Sequence, residues 1–86
     1  MTTWNIELGF LEDTDFTQAI AVLRTPDGKR ELRGIGQATR SREDRAVPAI
    51  GEEVAGARAL SSLAHELLNY AAQEIERNAL RDDPLV

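Results

Sequence analysis

The sequence contains no cysteine and a single histidine, His65, and these two shortages remove whole classes of site. Without cysteine there are no disulfides and no thiolate ligands, and one histidine cannot build a multi-histidine metal centre. A cysteine-free chain fits a reducing compartment, so we expect a cytoplasmic protein. No motif indicates a cofactor, a metal or a catalytic group, and we predict that the protein is not an enzyme.

Long apolar runs are also missing. No stretch approaches the roughly 20 apolar residues that a membrane span needs. No basic segment followed by an apolar run marks a signal peptide, so none is expected. A chain of 86 residues predicts a single domain, residues 1–86, with a core so small that pairing with a second copy would add useful buried area.

The net charge is −5, which argues against a general nucleic-acid binder. The charge is uneven, because residues 24–45 carry seven bases against four acids. Two interpretations remain open: a solvated segment, or a local surface that faces an anion such as RNA. The candidates for the second are Arg24, Lys29, Arg30, Arg33, Arg40, Arg42 and Arg45.

Three segments have the pattern of β-strands, at about residues 4–11, 17–24 and 29–39. In the first, Trp4, Ile6, Leu8 and Phe10 share one face, which we expect to point into the core. The second and third are joined by residues 25–28, Thr-Pro-Asp-Gly, a strong turn signal that predicts an antiparallel hairpin.

The predicted sheet has one face made of small residues. Ala19, Ala21 and Leu23 alternate with the more bulky Ile20 and Val22. In the third strand, Gly34 and Gly36 fall on one face together with Leu32 and Ala38, and glycine within a strand permits close approach of another backbone. We expect a helix to lie on this face. The Gly-Ile-Gly run has neither the third glycine nor the βαβ context of a dinucleotide loop.

Apolar residues from about residue 50 to 80 recur at three- and four-residue spacing and predict one long helix, although Gly56 could divide it in two. The candidate core or dimer face comprises Val54, Leu60, Leu63, Leu67, Leu68, Ala72 and Ile75. A helix of that length measures about 43 Å, whereas a strand of eight residues spans about 27 Å. The helix should therefore extend past its own sheet, and its apolar arc of about 180° is wider than one partner requires.

From this excess we predict a homodimer. Leu60, Leu63 and Leu67 could face one partner, while Val54, Leu68, Ala72 and Ile75 could face another. The fold class is α+β, a three-stranded antiparallel meander of order β-β-β-α packed on one long C-terminal helix. A monomer whose helix breaks at Gly56 and folds back is the alternative.

Several motifs resemble those of a small actinobacterial family of unknown function. They are Pro48-x-Ile-Gly-acid-acid, Ala57-Arg-Ala-Leu-x-x-Leu63, Leu32-Arg-Gly-Ile-Gly-Gln-Ala38 and Ala19-x-Ala21-x-Leu23. The resemblance covers about residues 4–77. It implies a fold like that of double-stranded-RNA-binding domains and a dimer that has been likened to ribosome hibernation factors. It also implies a dormancy or stress association in some members, and it supplies no catalytic residues.

Two functions stay open at this stage. The first is a dimeric, stress-associated interaction module with no defined ligand. The second is a ribosome- or RNA-binding factor that uses the basic segment. Steep weakening of binding by salt would distinguish phosphate recognition from the first function.

Overall fold

A computed structural model describes residues 1–40 and 47–81, with side chains described as far as residue 79. Its elements are β1 (Ile6–Glu12), β2 (Phe16–Arg24), β3 (Glu31–Thr39) and α1 (Pro48–Arg81). The predicted α+β fold, an antiparallel meander packed on one long C-terminal helix, is confirmed. Helix α1 is continuous through Gly56, so the predicted alternative of a break there is wrong.

The three strands form one antiparallel sheet in the order β1-β2-β3. The register places Gly9 opposite Ile20, and Ile20 opposite Ile35, across the middle of the sheet. Because side chains alternate along a strand, this row and its alternate neighbours form the face that points away from α1. That outer face carries half-buried Ile20 and Val22, while Ile35 is 53% exposed.

Both turns are held by an aspartate side chain. Asp13 Oδ1 accepts hydrogen bonds from the backbone N–H groups of Asp15 and Phe16 at 3.0 and 2.9 Å. In the second turn, Asp27 Oδ1 accepts from Thr25 Oγ1 at 2.6 Å. Gly28 there has a φ of 74°, a conformation that side chains disfavour. The hairpin predicted from residues 25–28 is thus present, and its turn uses an aspartate side chain as acceptor and a glycine with positive φ.

The core is built from unusually small side chains. Ala19, Ala21 and Leu23 of β2 and Ala55, Ala59 and Leu63 of α1 are its buried members. Beside them, a Cβ on Gly34 or Gly36 would overlap the backbone of α1. The sheet and the helix therefore approach until their main chains touch, as the small-residue face predicts.

Helix α1 runs alongside β2 and then continues past the sheet. Its start lies near Thr17, since a Cβ on Gly51 would meet Thr17 Oγ1, and Leu63 lies over Gly34. At the hairpin end, the guanidinium of Arg30 stacks 5.1 Å from the centre of the Tyr70 ring. Beyond Tyr70, only Ala71 among the described side chains is partly buried, and those of residues 72–79 are exposed. With 34 residues, the helix is about 51 Å long, so its last third has no sheet beneath it.

Candidate interaction surface

Exposed apolar side chains form a continuous stripe on the side of α1 that its own sheet does not cover. Leu60 is 42% exposed, Leu68 67% and Ile75 70%. At 3.6 residues per turn, these residues and two exposed alanines lie within an arc of about 80°. We call this set the outer stripe; its members are Ala57, Leu60, Ala64, Leu68 and Ile75.

The predicted helix face therefore divides between the core and the surface. Leu63 is buried, Leu67 packs against the core and Val54 is half-buried. Leu60 was grouped with Leu63 and Leu67 from sequence, but it lies in the exposed set because its direction is turned by about 60° from that of Leu63. Ala72 is exposed beside the outer stripe.

Sequence reasoning missed the two deepest residues of the helix. Ala55 and Ala59 are fully buried, and their backbones are what Gly36 and Gly34 touch. The sequence does contain a signal for this contact. Gly34 and Gly36 are two residues apart on a strand, and Ala55 and Ala59 are four residues apart on the helix, so that small residues recur on one face of each element. The apolar pattern of α1 is dominated by its leucines, which are larger than its alanines, and so it did not single out Ala55 and Ala59.

The first strand is less covered than predicted. Trp4 precedes β1 and is 48% exposed, Ile6 is 48% exposed and Phe10 is 38% exposed, so the expectation of a core position for Trp4 and Phe10 is wrong. The reason is geometric: α1 lies over β2 and β3 and barely reaches β1. Leu8 alone on this face packs against the core.

Two of the basic residues near the hairpin end, Arg24 and Arg33, share one acidic partner. Glu31 accepts a hydrogen bond from Arg33 Nε at 2.8 Å and from Arg24 Nε at 3.1 Å. These bonds, that from Arg33 first, lower the pKa of Glu31 below its usual range. Because Glu31 lies between the two guanidinium groups, it reduces the positive potential that they could offer to a phosphate.

The remaining basic candidates do not converge on one place. Arg30 is stacked on Tyr70, and Lys29 lies in the turn with its N–H bonded to Asp27. Arg40 pairs with Asp15 at 2.6 Å, at the opposite end of β3 and about 33 Å along the chain from Arg30. The predicted candidates Arg42 and Arg45 lie outside the described residues.

The other end of the sheet carries a cavity of about 570 Å³ beside the start of α1. Phe16, Ile50 and Val54 line it together with Glu12 and Arg58. Burial, followed by hydrogen bonding to Glu52 and repulsion from it, raises the pKa of Glu12. Acidic and basic side chains both line the opening.

The described residues contain neither a cluster of metal ligands nor a membrane-spanning helix. Among residues 1–40 and 47–81, no three histidine, aspartate or glutamate side chains are grouped as a metal ion would require. Within the same ranges, no helix combines the length and the apolar character that crossing a membrane demands.

The chain is similar to known proteins both in sequence and in fold. Residues 2–83 match the model of a family described as Rv2632c-like. The chain is 38% identical over 73 residues to uncharacterized protein Mb1767 of Mycobacterium bovis. The aligned segment covers 85% of this chain and 76% of that protein. The figures are the same for uncharacterized protein MT1780 of Mycobacterium tuberculosis. The crystal structure of Rv2632c superposes with a TM-score of 0.81 at 35% identity, over 91% of this chain and 90% of that one.

Proposed function

The chain belongs to the Rv2632c-like family, and we propose that it is a non-enzymatic interaction module that works as a homodimer. The outer stripe of α1 carries this proposal. It presents Leu60, Leu68 and Ile75 to water on one helix, in a chain whose own sheet cannot reach them. Apolar patches of this kind mark interaction surfaces, and a two-fold pair is the commonest way to cover one.

Light scattering on the purified protein tests the homodimer. We expect the mass of two chains at micromolar concentration, and the mass of one chain for the variant Leu68→Glu. Asn69→Glu is the matched control, because it adds the same charge to the next residue, which is exposed and lies outside the outer stripe. A wild-type mass of one chain, with helix content confirmed by circular dichroism, would contradict the proposal.

The alternative is a ribosome- or RNA-binding factor. The described arginines weigh against it, since Arg24 and Arg33 share Glu31 and Arg40 pairs with Asp15. The grouping of the fold with double-stranded-RNA-binding domains stays a prediction from the resemblance noted above. Phosphate contacts release counterions, so true RNA binding would weaken steeply with salt.

Sedimentation with ribosomes at several salt concentrations distinguishes the two functions. We expect no salt-sensitive comigration of the protein with ribosomes. A shift into the ribosome fraction that is lost when Arg40, Arg42 and Arg45 are changed to glutamate would overturn our preference. The variant with Asn69, Gln73 and Asn78 changed to glutamate is a control for acidic side chains as such, since it introduces the same number of carboxylates without removing an arginine.

We also propose, from the same resemblance, that the module acts in stressed or dormant cells. A pull-down from stressed and unstressed cells tests this. Partners recovered only after stress support the association, and the same partners in both conditions contradict it.

A further inference from the structure

The outer face of the sheet, which points away from α1, exposes apolar side chains to water in a single chain. Leu11 of β1 is 62% exposed and Ile35 of β3 is 53% exposed. Half-buried Ile20 and Val22 lie on β2, between these two strands. An antiparallel sheet can leave one face to water, but such a face is then usually polar. The apolar centre of the outer face therefore indicates a contact surface.

Opposite charges lie at the two edges of this face, in one row of the sheet. The strand register places Glu7 opposite Val22, and Val22 opposite Arg33. Glu7 and Arg33 are thus two strands apart, about 10 Å, and they do not pair within the chain. The Glu7 side chain has no ion-pair or hydrogen-bond partner among the described residues. The row is negative at β1 and positive at β3.

A small residue and a large one occupy the two edges of the next row on the same face. Gly9 lies opposite Ile20, and Ile20 lies opposite Ile35. A Cβ on Gly9 would have nothing within 4 Å, so the surface at Gly9 is hollow. Ile35 projects from the other edge, with half of its surface exposed. A contact that exchanges the two edges would match both the charges of the first row and the shapes of the second.

We propose that the outer face binds the outer face of a second copy, through a two-fold axis that runs parallel to β2. This contact is separate from the α1 contact of the proposed homodimer and goes beyond it. Rotation about such an axis keeps every residue at its own position along the strand direction and exchanges the two edges of the sheet. Strand β1 then lies over β3 of the partner subunit, and the two β2 strands face each other.

This rotation brings the complementary groups together, and each contact occurs twice. Glu7 lies over Arg33 of the partner subunit, and Arg33 lies over the partner's Glu7. Stacked sheets are about 10 Å apart, a distance that a glutamate and an arginine side chain span together. The hollow at Gly9 receives Ile35 of the partner subunit. At the centre, Ile20 packs against the partner's Ile20.

A two-fold axis that runs across the strands fits the same face less well. Centred on the row of Ile20, it would place each strand over its own copy. Ile35 would then meet the partner's Ile35, while a gap would remain between the two Gly9 residues. Glu7 would lie over Leu11 of the partner subunit and would have no cation near it. Charge and shape therefore both favour the axis parallel to β2.

The size of the face determines the strength of the contact. Three strands about 4.8 Å apart and seven residues of about 3.3 Å give a footprint of about 14 Å by 23 Å, which is small for a permanent dimer. Arg24 also faces Arg24 of the partner subunit, although its bond to its own Glu31 at 3.1 Å offsets part of the repulsion. We therefore expect a weak contact, with a dissociation constant on the order of 100 µM.

The position of the face allows a chain to make both contacts at once. The outer stripe lies on the side of α1 that the sheet does not cover, and the outer face lies on the side of the sheet that α1 does not cover. The outer face can therefore join two homodimers without displacing either α1 contact. Association beyond two chains is expected at several hundred micromolar.

Sedimentation equilibrium on the variant Leu68→Glu tests the outer face alone, because this change is expected to remove the α1 contact. We expect one chain at micromolar concentration and a dimer at several hundred micromolar. Adding Glu7→Arg should weaken this association at least fivefold, since two arginines would then face each other. Further addition of Arg33→Glu should restore much of it. Glu76→Arg is the matched control, because it makes the same charge change on an exposed residue of α1.

A size exchange provides a second and independent test. Gly9→Leu should weaken the association at least fivefold, because the new side chain fills the hollow that receives Ile35 of the partner subunit. The fold should be kept, since a Cβ on Gly9 meets nothing within its own chain. Adding Ile35→Ala should restore much of the lost affinity. A double variant that associates no better than Gly9→Leu alone, with an unchanged circular dichroism spectrum, would contradict the proposed pairing.

The outcomes separate this contact from the homodimer. Association at several hundred micromolar that Glu7→Arg weakens and Glu76→Arg does not supports the outer-face contact. Its absence, or equal effects of the two variants, overturns the outer-face contact and leaves the homodimer intact. A wild-type mass of one chain at micromolar concentration overturns the homodimer, and the same substitutions then test the outer face in the wild-type chain.

Discussion

The backbone of Gly34 in β3 is in direct contact with the backbone of Ala59 in α1. The carbonyl oxygen of Ala59 occupies the place that a Cβ on Gly34 would need, and the backbone nitrogen of Leu63 is equally close to that place. No side chain fits between the strand and the helix at this point. The pair therefore sets the distance between the two layers of the fold.

We expect Gly34→Ala to lower the free energy of unfolding by about 3 kcal/mol, because the helix must move away from the sheet to admit the methyl group. Gly9→Ala is the control, since a Cβ there would have nothing within 4 Å. The control should be neutral or stabilising by less than about 1 kcal/mol, through the reduced entropy of the unfolded chain. Urea denaturation measures both, and equal losses would show that the close approach is unimportant.

Leu63→Ala and Leu68→Ala remove the same atoms from two different environments. Leu63 is 3% exposed, and its truncation should cost about 2–5 kcal/mol at every protein concentration. Leu68 is 67% exposed in one chain, so its truncation should matter little in dilute protein. If it lies at a dimer interface, its cost should grow with concentration, because association stabilises the folded chain. Denaturation at two concentrations a hundredfold apart measures the difference.

Arg58 ties α1 to the outer edge of β3, where its Nη1 donates to the carbonyl oxygen of Gln37 at 2.7 Å. Arg58→Met should keep most of the aliphatic packing and lose this hydrogen bond, at a cost of about 1 kcal/mol. Arg77→Met is the matched control, because Arg77 has no ion-pair or hydrogen-bond partner among the described residues. Thermal or urea denaturation measures both variants, and equal effects would mean that the contact with Gln37 contributes nothing.

Acid should weaken the fold partly through Glu31, whose pKa is lowered by Arg33 and then by Arg24. A carboxylate with a lowered folded-state pKa contributes stability above its unfolded pKa of about 4.3. That contribution is lost as the pH falls through the lower folded value. We therefore expect Glu31→Gln to be less stable than the wild type at pH 7 and to lose less stability than it between pH 5 and pH 3.

A comparison with Glu12→Gln checks the sign of this effect. The pKa of Glu12 is raised, first by burial and then by Glu52. Its contribution is present below the unfolded pKa and is lost as the pH rises through the folded value. Replacing it should therefore not reproduce the effect of Glu31→Gln, and Glu12→Gln should be at least as stable as the wild type at pH 7. Melting temperatures recorded from pH 3 to pH 7 test both expectations.

Local patterns were sufficient to predict the fold. The alternation around Ala19, Ala21 and Leu23 identified the helix-facing side of β2, and the turn at residues 25–28 identified the hairpin. The alternation and the turn both depend on residues that are neighbours in the chain, so they can be identified from the sequence. The small size of Gly34 and Gly36 also predicted the close approach of the helix correctly.

The lateral position of α1 could not be predicted in this way. Periodicity shows which side of β1 is apolar, but it does not show that the helix is centred over β2 and β3 and leaves Phe10 exposed. For the same reason, periodicity alone predicted that Leu60 and Leu63 face the same partner. Because α1 packs with Ala55 and Ala59 against the sheet, Leu60 points toward solvent. This rotation of the helix about its axis is determined by the packing of the two layers.

The order of the strands has a consequence for how quickly the native state is reached. Every strand pairs with its neighbour in the chain, and the connections are the short turns at residues 13–15 and 25–30. Closing such short loops costs little chain entropy, so topologies of this kind reach the native state rapidly. The surface that receives Ala59 is complete only after β2 and β3 have paired, so we expect docking of the helix to follow formation of the hairpin.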